Sequence, residues 1–472
     1  MNTDTPQPPQ ISRASQDALV TIRNWFAKRA LFFKIILIGF LALVLLIPLG
    51  LVSDTLSERQ SRYAEAVASI VAPWGGSQRI TGPVLAIPFT HKVETEEWVV
   101  SGTHRFKEKK SHECTVVAYF LPDHLNVKGT IEPSARKRSI YTAHVYSALL
   151  QISGKFARPD FNFPGYKDIT PQWDQARVGF LINDLRGVRE SLTLAWDDER
   201  FAMQPGDGIY AESGLHAQLS AQAAQNGGDF SLSLTLNGSN AFEITPLARS
   251  TKMALNSPWP DPSFCGDYLP VTRNVTPEGF EARWETSFYA RKAPQQWTGN
   301  QNTIPARELA KGSFGVRMMP AISAYRIVER SIKYGVLFIA LVFTVFFLFE
   351  IVARVRLGAL NYLLVGATLC VFFLGLLALS EFVAFGLAYA GSGAIATLMI
   401  GFYCARILRS AKRALAVGAM LGGVYAYLYF VLRMEDFSLI AGTAALFAVL
   451  GAVMYATRNL RNGSRAGRDD SA

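Results

Sequence analysis

"LFFKIILIGFLALVLLIPLGLV", residues 31–52, is a twenty-two-residue run with one charge, Lys34. At ~1.5 Å per residue it extends about 33 Å, enough to cross a hydrocarbon core. Lys34 lies near its start, where a long side chain reaches back to the interface. A cleaved signal peptide would have a shorter apolar core and end in a small-x-small site, and none is evident. The run therefore reads as an uncleaved transmembrane helix. Pro48 and Gly50 near its far end predict a kink.

Five more apolar runs fill the C-terminal third: 334–353, 357–379, 382–403, 414–432 and 437–457. Their connectors alternate between two kinds. One kind is basic: Arg354 and Arg356, then Arg406, Arg409, Lys412 and Arg413, then Arg458, Arg461, Arg465 and Arg468. The other is short and acidic or mixed, at Ser380-Glu381 and at 433–436. Arg23, Lys28 and Arg29 put the N-terminal flank in the basic kind. The positive-inside rule then predicts six crossings with both termini cytoplasmic and residues 54–333 periplasmic. Residues 1–30 form a cytoplasmic, partly disordered start, and 458–472 a cytoplasmic basic tail.

The same partition removes nucleic acid as a partner. The chain of 472 residues carries net +10, but residues 54–333 hold 31 Lys/Arg against 29 Asp/Glu. The remaining excess lies in and beside the apolar runs, where topology explains it. Glu350 and Glu381 sit at helix ends, with Arg354 at i+4 from Glu350. No ionisable residue stands near the middle of a run, so a structural bundle is favoured over an ion-coupled carrier. A permease or carrier component stays open as an alternative. Its best support is a break at Gly391-Ser-Gly393, lining a cavity. Gly418 and Gly422 carry a GxxxG spacing and read as helix packing.

Between the first and second runs, residues 53–73 predict a stalk helix, capped by Ser53 or Asp54 and ended by Pro73. Residues 74–333 form a β-rich domain. "GPVLAIPF", "CTVVAYFL", "FSLSLTLNG" and "FEARWETSFYA" are short, often alternating apolar runs. Asn226-Gly-Gly, Asn237-Gly and Pro205-Gly-Asp-Gly supply turn signals. With no helical crossovers, an antiparallel β-sandwich-like domain is expected, making the whole a membrane protein of mixed α and all-β parts.

Chemistry is sparse. The six histidines, at 91, 104, 112, 124, 144 and 216, match no metal-ligand spacing and read as solvated. There is no GxSxG, Walker A or dinucleotide fingerprint. Asp197-Asp198-Glu199 is contiguous and reads as an exposed turn. No enzyme, metal or cofactor is expected, although a carbohydrate-binding or hydrolytic β domain is kept as a further alternative. Cys114 and Cys265 are the two cysteines of the polar middle and could pair in an oxidising compartment; unpaired thiols are equally compatible with the spacing. In "NSPWPDPSFCGDYLP", residues 256–270, four prolines exclude a helix or a central strand. A packed corner of the β domain and a partner-docking surface both stay open for it.

Several strings resemble the CreD family of inner-membrane proteins: "TGPVLAIPFT" (81–90), "IYTAHVYSALLQISGKF" (140–156), "NSPWPDPSFCGDYLP", "GFEARWETSFYAR" (279–291), "YRIVERSIKYGVLFIALVFTVFFLFE" (325–350) and "YLLVGATLCVFFLGLLALSE" (362–381). The resemblance marks Gly82, Pro83, Ile87, Pro88, Trp259, Pro260, Pro262, Ser263, Phe264, Gly266, Asp267, Leu269, Pro270, Trp284, Glu350 and Glu381. It implies an inner-membrane protein of Gram-negative bacteria, tied to cell-envelope integrity, β-lactam response and a two-component regulatory system. It brings no catalytic residue or cofactor. The implied partners are the lipid bilayer and an envelope protein or glycan. Cys265 stands where the family is expected to carry an apolar residue, so a Cys114–Cys265 bridge would be peculiar to this chain.

Overall fold

The computed structural model describes residues 32–101, 104–207, 213–291, 293–299, 304–318, 324–353, 355, 357–434 and 438–457. The two polar termini and Arg354, Arg356, Arg458 and Arg461 lie outside them. The chain divides into two compact units, one of Met1–Arg62 with Ile322–Ala472, the other of Tyr63–Ala321.

The first unit is helical. Four described helices are long and apolar enough to cross a membrane: Phe32–Val71, Ala359–Ser380, Phe385–Leu408 and Ala411–Arg433. A fifth results if Tyr325–Lys333 and Gly335–Ile351, which meet at 49°, are one span. Ser438–Thr457 is also helical. Leu45, Leu49, Val52 and Leu56 of the first helix are buried in one core with Phe338, Phe372, Phe373 and Tyr425. The helix Ala324–Lys333 belongs to this unit, not to the β-rich one, because Val328 and Ile332, one turn apart, bury their side chains in the same core.

Three local expectations change. The first helix runs on through Ser53 and Asp54, so neither caps it; its irregularity falls at Leu45, beside Pro48, whose missing N–H leaves the Val44 carbonyl unpaired within the helix. Phe385–Leu408 is unbroken at Gly391-Ser-Gly393, so the break that a carrier site would need is absent. Gly418 and Gly422 have no described atom within 4 Å of where a Cβ would stand, so they do not mark a close helix approach.

Eighteen strands lie among the described residues of the second unit. In order they are β1 Gln78–Ser101, β2 His104–Phe120, β3 His124–Arg138, β4 Tyr141–Phe156, β5 Thr170–Pro171, β6 Arg177–Ile182, β7 Thr193–Trp196, β8 Glu199–Ala202 and β9 Gln204–Asp207. They continue as β10 Ser213–Gln218, β11 Gly228–Ser239, β12 Ala241–Thr245, β13 Ser250–Ser257, β14 Ser263–Gly266, β15 Thr272–Thr276, β16 Gly279–Ser287, β17 Gln296–Thr298 and β18 Phe314–Arg317. Ten strands form one sheet, with the path β14-β18-β12-β1-β6-β10-β9 and β2, β5 and β17 beside it. Eight form the other, in the order β15-β16-β13-β3-β4-β11-β7-β8. Inward residues of both, among them Ile87, Phe89 and Phe180 from one and Val127, Leu150, Trp196 and Trp284 from the other, share one hydrophobic core. Strand β16 shows the cause. Phe280, Ala282 and Trp284 are buried while Glu281, Arg283 and Glu285 between them are exposed, the period-two pattern of a half-buried strand.

The sheets are not purely antiparallel. β1 pairs parallel with β12, and β13 parallel with β3, because each partner returns through an intervening excursion across the unit. Asn237-Gly238 is not a turn but lies buried within β11; the chain turns at Asn240, which takes the left-handed region with φ 59°. Cys114 and Cys265 are free. Cys114 faces His91 across the β1–β2 ladder, while Cys265 lies on the edge strand β14, with β18 and β12 between it and β1. That separation forbids a bridge.

Candidate functional site

A concavity of about 790 Å³ lies on the outer face of the eight-stranded sheet. Two cross-strand rows build it. Glu281, Asn256, Thr130, Leu149 and Thr235 stand side by side on β16, β13, β3, β4 and β11. The next row on the same face is Arg283, Ala254, Lys128, Gln151 and Ser233. Short side chains at Ala254, Ser233 and Thr130 leave space beside the longer Lys128, Gln151, Arg283 and Glu281. Five strands about 4.8 Å apart make the floor roughly 19 Å wide. Beneath it Gly129 faces the core, where a Cβ would stand 2.7 Å from Leu255 and 2.8 Å from Leu150. Only glycine lets those leucines close under the floor.

The lining offers charges and hydrogen-bonding groups to a ligand. Two cations, Lys128 and Arg283, and three carboxylates, Glu132, Glu190 and Glu281, alternate with hydroxyls and amides. Glu190 accepts the Thr235 N–H at 2.9 Å. Leu149 is the one large apolar side chain that the floor exposes, at 48%. Among the described residues no histidine, cysteine or tyrosine lines it. Among the described residues no group of three His, Cys, Asp or Glu is placed to hold a metal ion.

None of the marked residues lines this groove; they are spread over both sheets and the helical unit. Asn256, which opens the proline-rich string, lines the groove, and Pro258 lines an adjoining hollow. From there the string turns back onto the core. Trp259 donates its Nε1–H to the Asp261 carbonyl at 2.9 Å and meets His144 edge-on. Phe264 packs edge-on against Phe280 and Trp284, and Tyr268 against Phe314. Ser263–Gly266 pairs with β18 as an edge strand, and Asp267 N–H donates to the Ser313 carbonyl at 3.0 Å. Pro262 and Pro270 are half-buried; Pro260 and Leu269 face outward. Gly82-Pro83 lies where the β1–β6 register shifts, beside buried Ile87, and the Pro88 carbonyl accepts from Gln172 N–H at 2.8 Å.

In the helical unit Glu350 accepts from Lys34, from the Tyr362 hydroxyl at 3.0 Å and from the Leu357 N–H at 3.2 Å. Glu381 accepts from the Tyr325 hydroxyl at 3.2 Å and lies 3.8 Å from Arg59. Arg406, Arg409, Lys412 and Arg413 are exposed together at the turn between two helices, with Arg409 in the left-handed region.

Sequence reasoning missed the groove residues, although their polar outward positions alternate with buried ones in "LNVKGTIE" and "FSLSLTLNG". It also took every histidine as solvated. His91 is 8% exposed and stands edge-on to Tyr166 with ring centres 4.7 Å apart, because the aromatic loop 161–166 covers its end of β1. Burial lowers the pKa of the half-buried His144.

The family model for "Inner membrane protein CreD" matches residues 30–462. The protein of that name from Escherichia coli strain K12 is 29% identical over 439 residues, 92% of this chain and 94% of its own length. Among solved structures, an M1 zinc metallopeptidase from Deinococcus radiodurans aligns over 71% of this chain and 93% of its own. Its TM-score of 0.18 and 8% identity carry no argument. The match along nearly the whole chain settles the affiliation: this chain belongs to the CreD family of inner membrane proteins.

Proposed function

We propose that this protein supports cell-envelope integrity and the response to envelope stress and β-lactams, and that it acts by binding rather than by chemistry. The observation that carries the reading is the open polar groove on the eight-stranded sheet, sized for a ligand and lined without a nucleophile–base pair. Its occupant is an envelope glycan or an envelope protein. The charge alternation along the sequence supports a topology of six crossings, with both termini cytoplasmic and residues 54–333 periplasmic. The helical part then lies in the bilayer.

Two measurements test this. A strain lacking the protein should become sensitive to β-lactam or detergent; unchanged growth and permeability under both challenges would count against the reading. Photocrosslinkers at Gln151 and Asn256 in living cells should capture a glycan or protein partner. A probe at Asn126, which is exposed beyond the groove, serves as the comparison, and equal capture from all three positions would dismiss the groove.

A further inference from the structure

The outer face of the eight-stranded sheet treats its charges in two ways. Beside the groove they pair across the strands. Lys252 on β13 lies 3.5 Å from Glu285, its direct neighbour on β16, and Lys155 on β4 lies 3.9 Å from Asp229, its direct neighbour on β11. Inside the groove they do not. Lys128, Arg283, Glu132 and Glu281 are exposed, and among the described residues none has an ion-pair partner within 4 Å. Register is the cause. Arg283 and Lys128 flank the same residue, Ala254, and their other neighbours are Thr272 and Gln151. Glu281 stands between Asn256 and Asn274, and Glu132 opposite Ser147. No charge of the groove faces one of opposite sign across a strand, the position from which side chains meet most closely.

The remaining carboxylate, Glu190, is held by the Thr235 N–H at 2.9 Å. Two cations and two carboxylates in one cavity suit a ligand that brings both signs itself. A polyanion would meet Glu132 and Glu281, and a polycation would meet Lys128 and Arg283. An uncharged sugar would answer none of the four, and among the described residues no aromatic ring lines the groove for it to stack on. Strand geometry sets the spacing. Residues of one face repeat about every 6.8 Å along a strand, and strands lie about 4.8 Å apart. Glu132, two rows and one strand from Ala254, is therefore about 14 Å from it. An extended peptide of about four residues covers that span. Between the two ends Thr130 and Gln151 offer hydrogen bonds to peptide groups, and Leu149, beside Thr130, offers apolar contact.

We propose that the groove takes a short extended peptide, about four residues long, with a carboxylate at one end and an ammonium group at the other. Lys128 and Arg283, on either side of Ala254, bind the carboxylate, and Glu132 binds the ammonium group. Glu281, one row from Ala254, repels an acidic side chain next to the carboxylate end. The inference rests on the groove being the binding surface and narrows its occupant from a glycan or protein to a peptide.

The test is calorimetric titration of the full-length chain in phosphatidylcholine nanodiscs. The probes are the tetrapeptide Ala-Leu-Leu-Ala, its N-acetylated form and its C-amidated form. Blocking either end should weaken binding roughly ten-fold, the loss of one charge-assisted contact. In K128Q/R283Q the free and amidated peptides should bind alike, and in E132Q the free and acetylated peptides should bind alike. All three positions are exposed, and thermal unfolding that matches wild type shows that each variant keeps the fold. Equal binding of the three peptides to wild type, or no binding at millimolar peptide, overturns the inference. Discrimination that persists in folded variants overturns it as well. Its failure is separable from that of the groove itself. Crosslinkers at Gln151 and Asn256 that capture a glycan, with no peptide bound in calorimetry, keep the groove and remove the peptide. Equal capture from Asn126 removes both.

Discussion

Tyr362 donates its hydroxyl to Glu350 across 3.0 Å and thereby completes a closed set: the same carboxylate takes the Leu357 N–H and Lys34, and Lys34 also donates to the Leu357 carbonyl at 3.0 Å. The Glu350 side chain is 11% exposed, so its charge is stabilised by these partners and little by water. Removing it leaves Lys34 uncompensated. Glu350→Ala should destabilise the helical unit by about 3–5 kcal/mol, and Tyr362→Phe by about 1.5–3 kcal/mol. Thermal unfolding of the purified protein in detergent checks both. The double change Lys34→Met with Glu350→Gln should cost less than Glu350→Ala, since no buried charge is then left alone. A Glu350→Ala protein that melts with wild type would refute the account.

The proline-rich string contains its own test of packing against docking. Gly266 has φ +98°, and a Cβ there would lie 2.1 Å from the Ser313 carbonyl oxygen. Both backbone strain and the clash act against Gly266→Ala, which should lower stability by about 2 kcal/mol or more. Three residues on, Leu269 is 69% exposed, and Leu269→Ala should fall within about 0.5 kcal/mol of wild type. Urea unfolding followed by tryptophan fluorescence measures the pair. A silent Gly266→Ala would mean that the string does not hold the fold as described. A Leu269→Ala protein that is stable yet fails in cells would move the outer side of the string toward docking.

Asp184 gives a pH dependence with a definite sign. Hydrogen bonds from Arg186, and then from the Gly76 N–H, hold its carboxyl down to about 2 against the opposing effect of burial. Its folded pKa thus lies below the unfolded value near ~3.9, and its contribution is present above pH ~4. That contribution is lost as the pH falls from about 4 toward 2. Wild type should therefore lose stability more steeply than Asp184→Asn over this window, and the two curves should run parallel above pH 5. Parallel curves throughout the acid range would show that the Asp184 contacts do not form in solution.

What could be read from the chain follows from the range of the forces involved. Apolar runs announce helices because twenty consecutive residues report one environment, and the charges beside them report the turns. The Lys34–Glu350 contact joins residues 316 apart, and nothing local to either specifies it. The strands of β16 and β11 were visible through alternation, yet their neighbours were not, because pairing is decided across the sheet. Asn237-Gly238 misled because its turn chemistry is overridden by burial; a Cβ on Gly238 would press on the Tyr146 ring, so the glycine is there for space. The groove escaped notice for a related reason. Lys128, Gln151 and Arg283 look like ordinary exposed residues until the register sets them in one row.

The cysteines give the last prediction. Cys114 is exposed, whereas the Cys265 thiol is pushed up by burial and then by the neighbouring Glu243 carboxylate, whose oxygen lies 3.9 Å from the sulfur. Maleimides react with the thiolate, so at pH 7 Cys114 should label first and Cys265 distinctly more slowly. Cys370 and Cys404 are buried and should label only after unfolding. Glu243→Gln removes the charge next to Cys265 and should speed its labelling, although the same change releases Arg79, which donates to Glu243 at 2.6 Å. Circular dichroism on that variant separates a faster thiol from a loosened fold. Dithiothreitol should leave the wild-type melting temperature unchanged, because no bridge exists to reduce. A drop in melting temperature under reduction, with the appearance of two new reactive thiols, would show that Cys114 and Cys265 pair after all and that the order of strands between them is wrong.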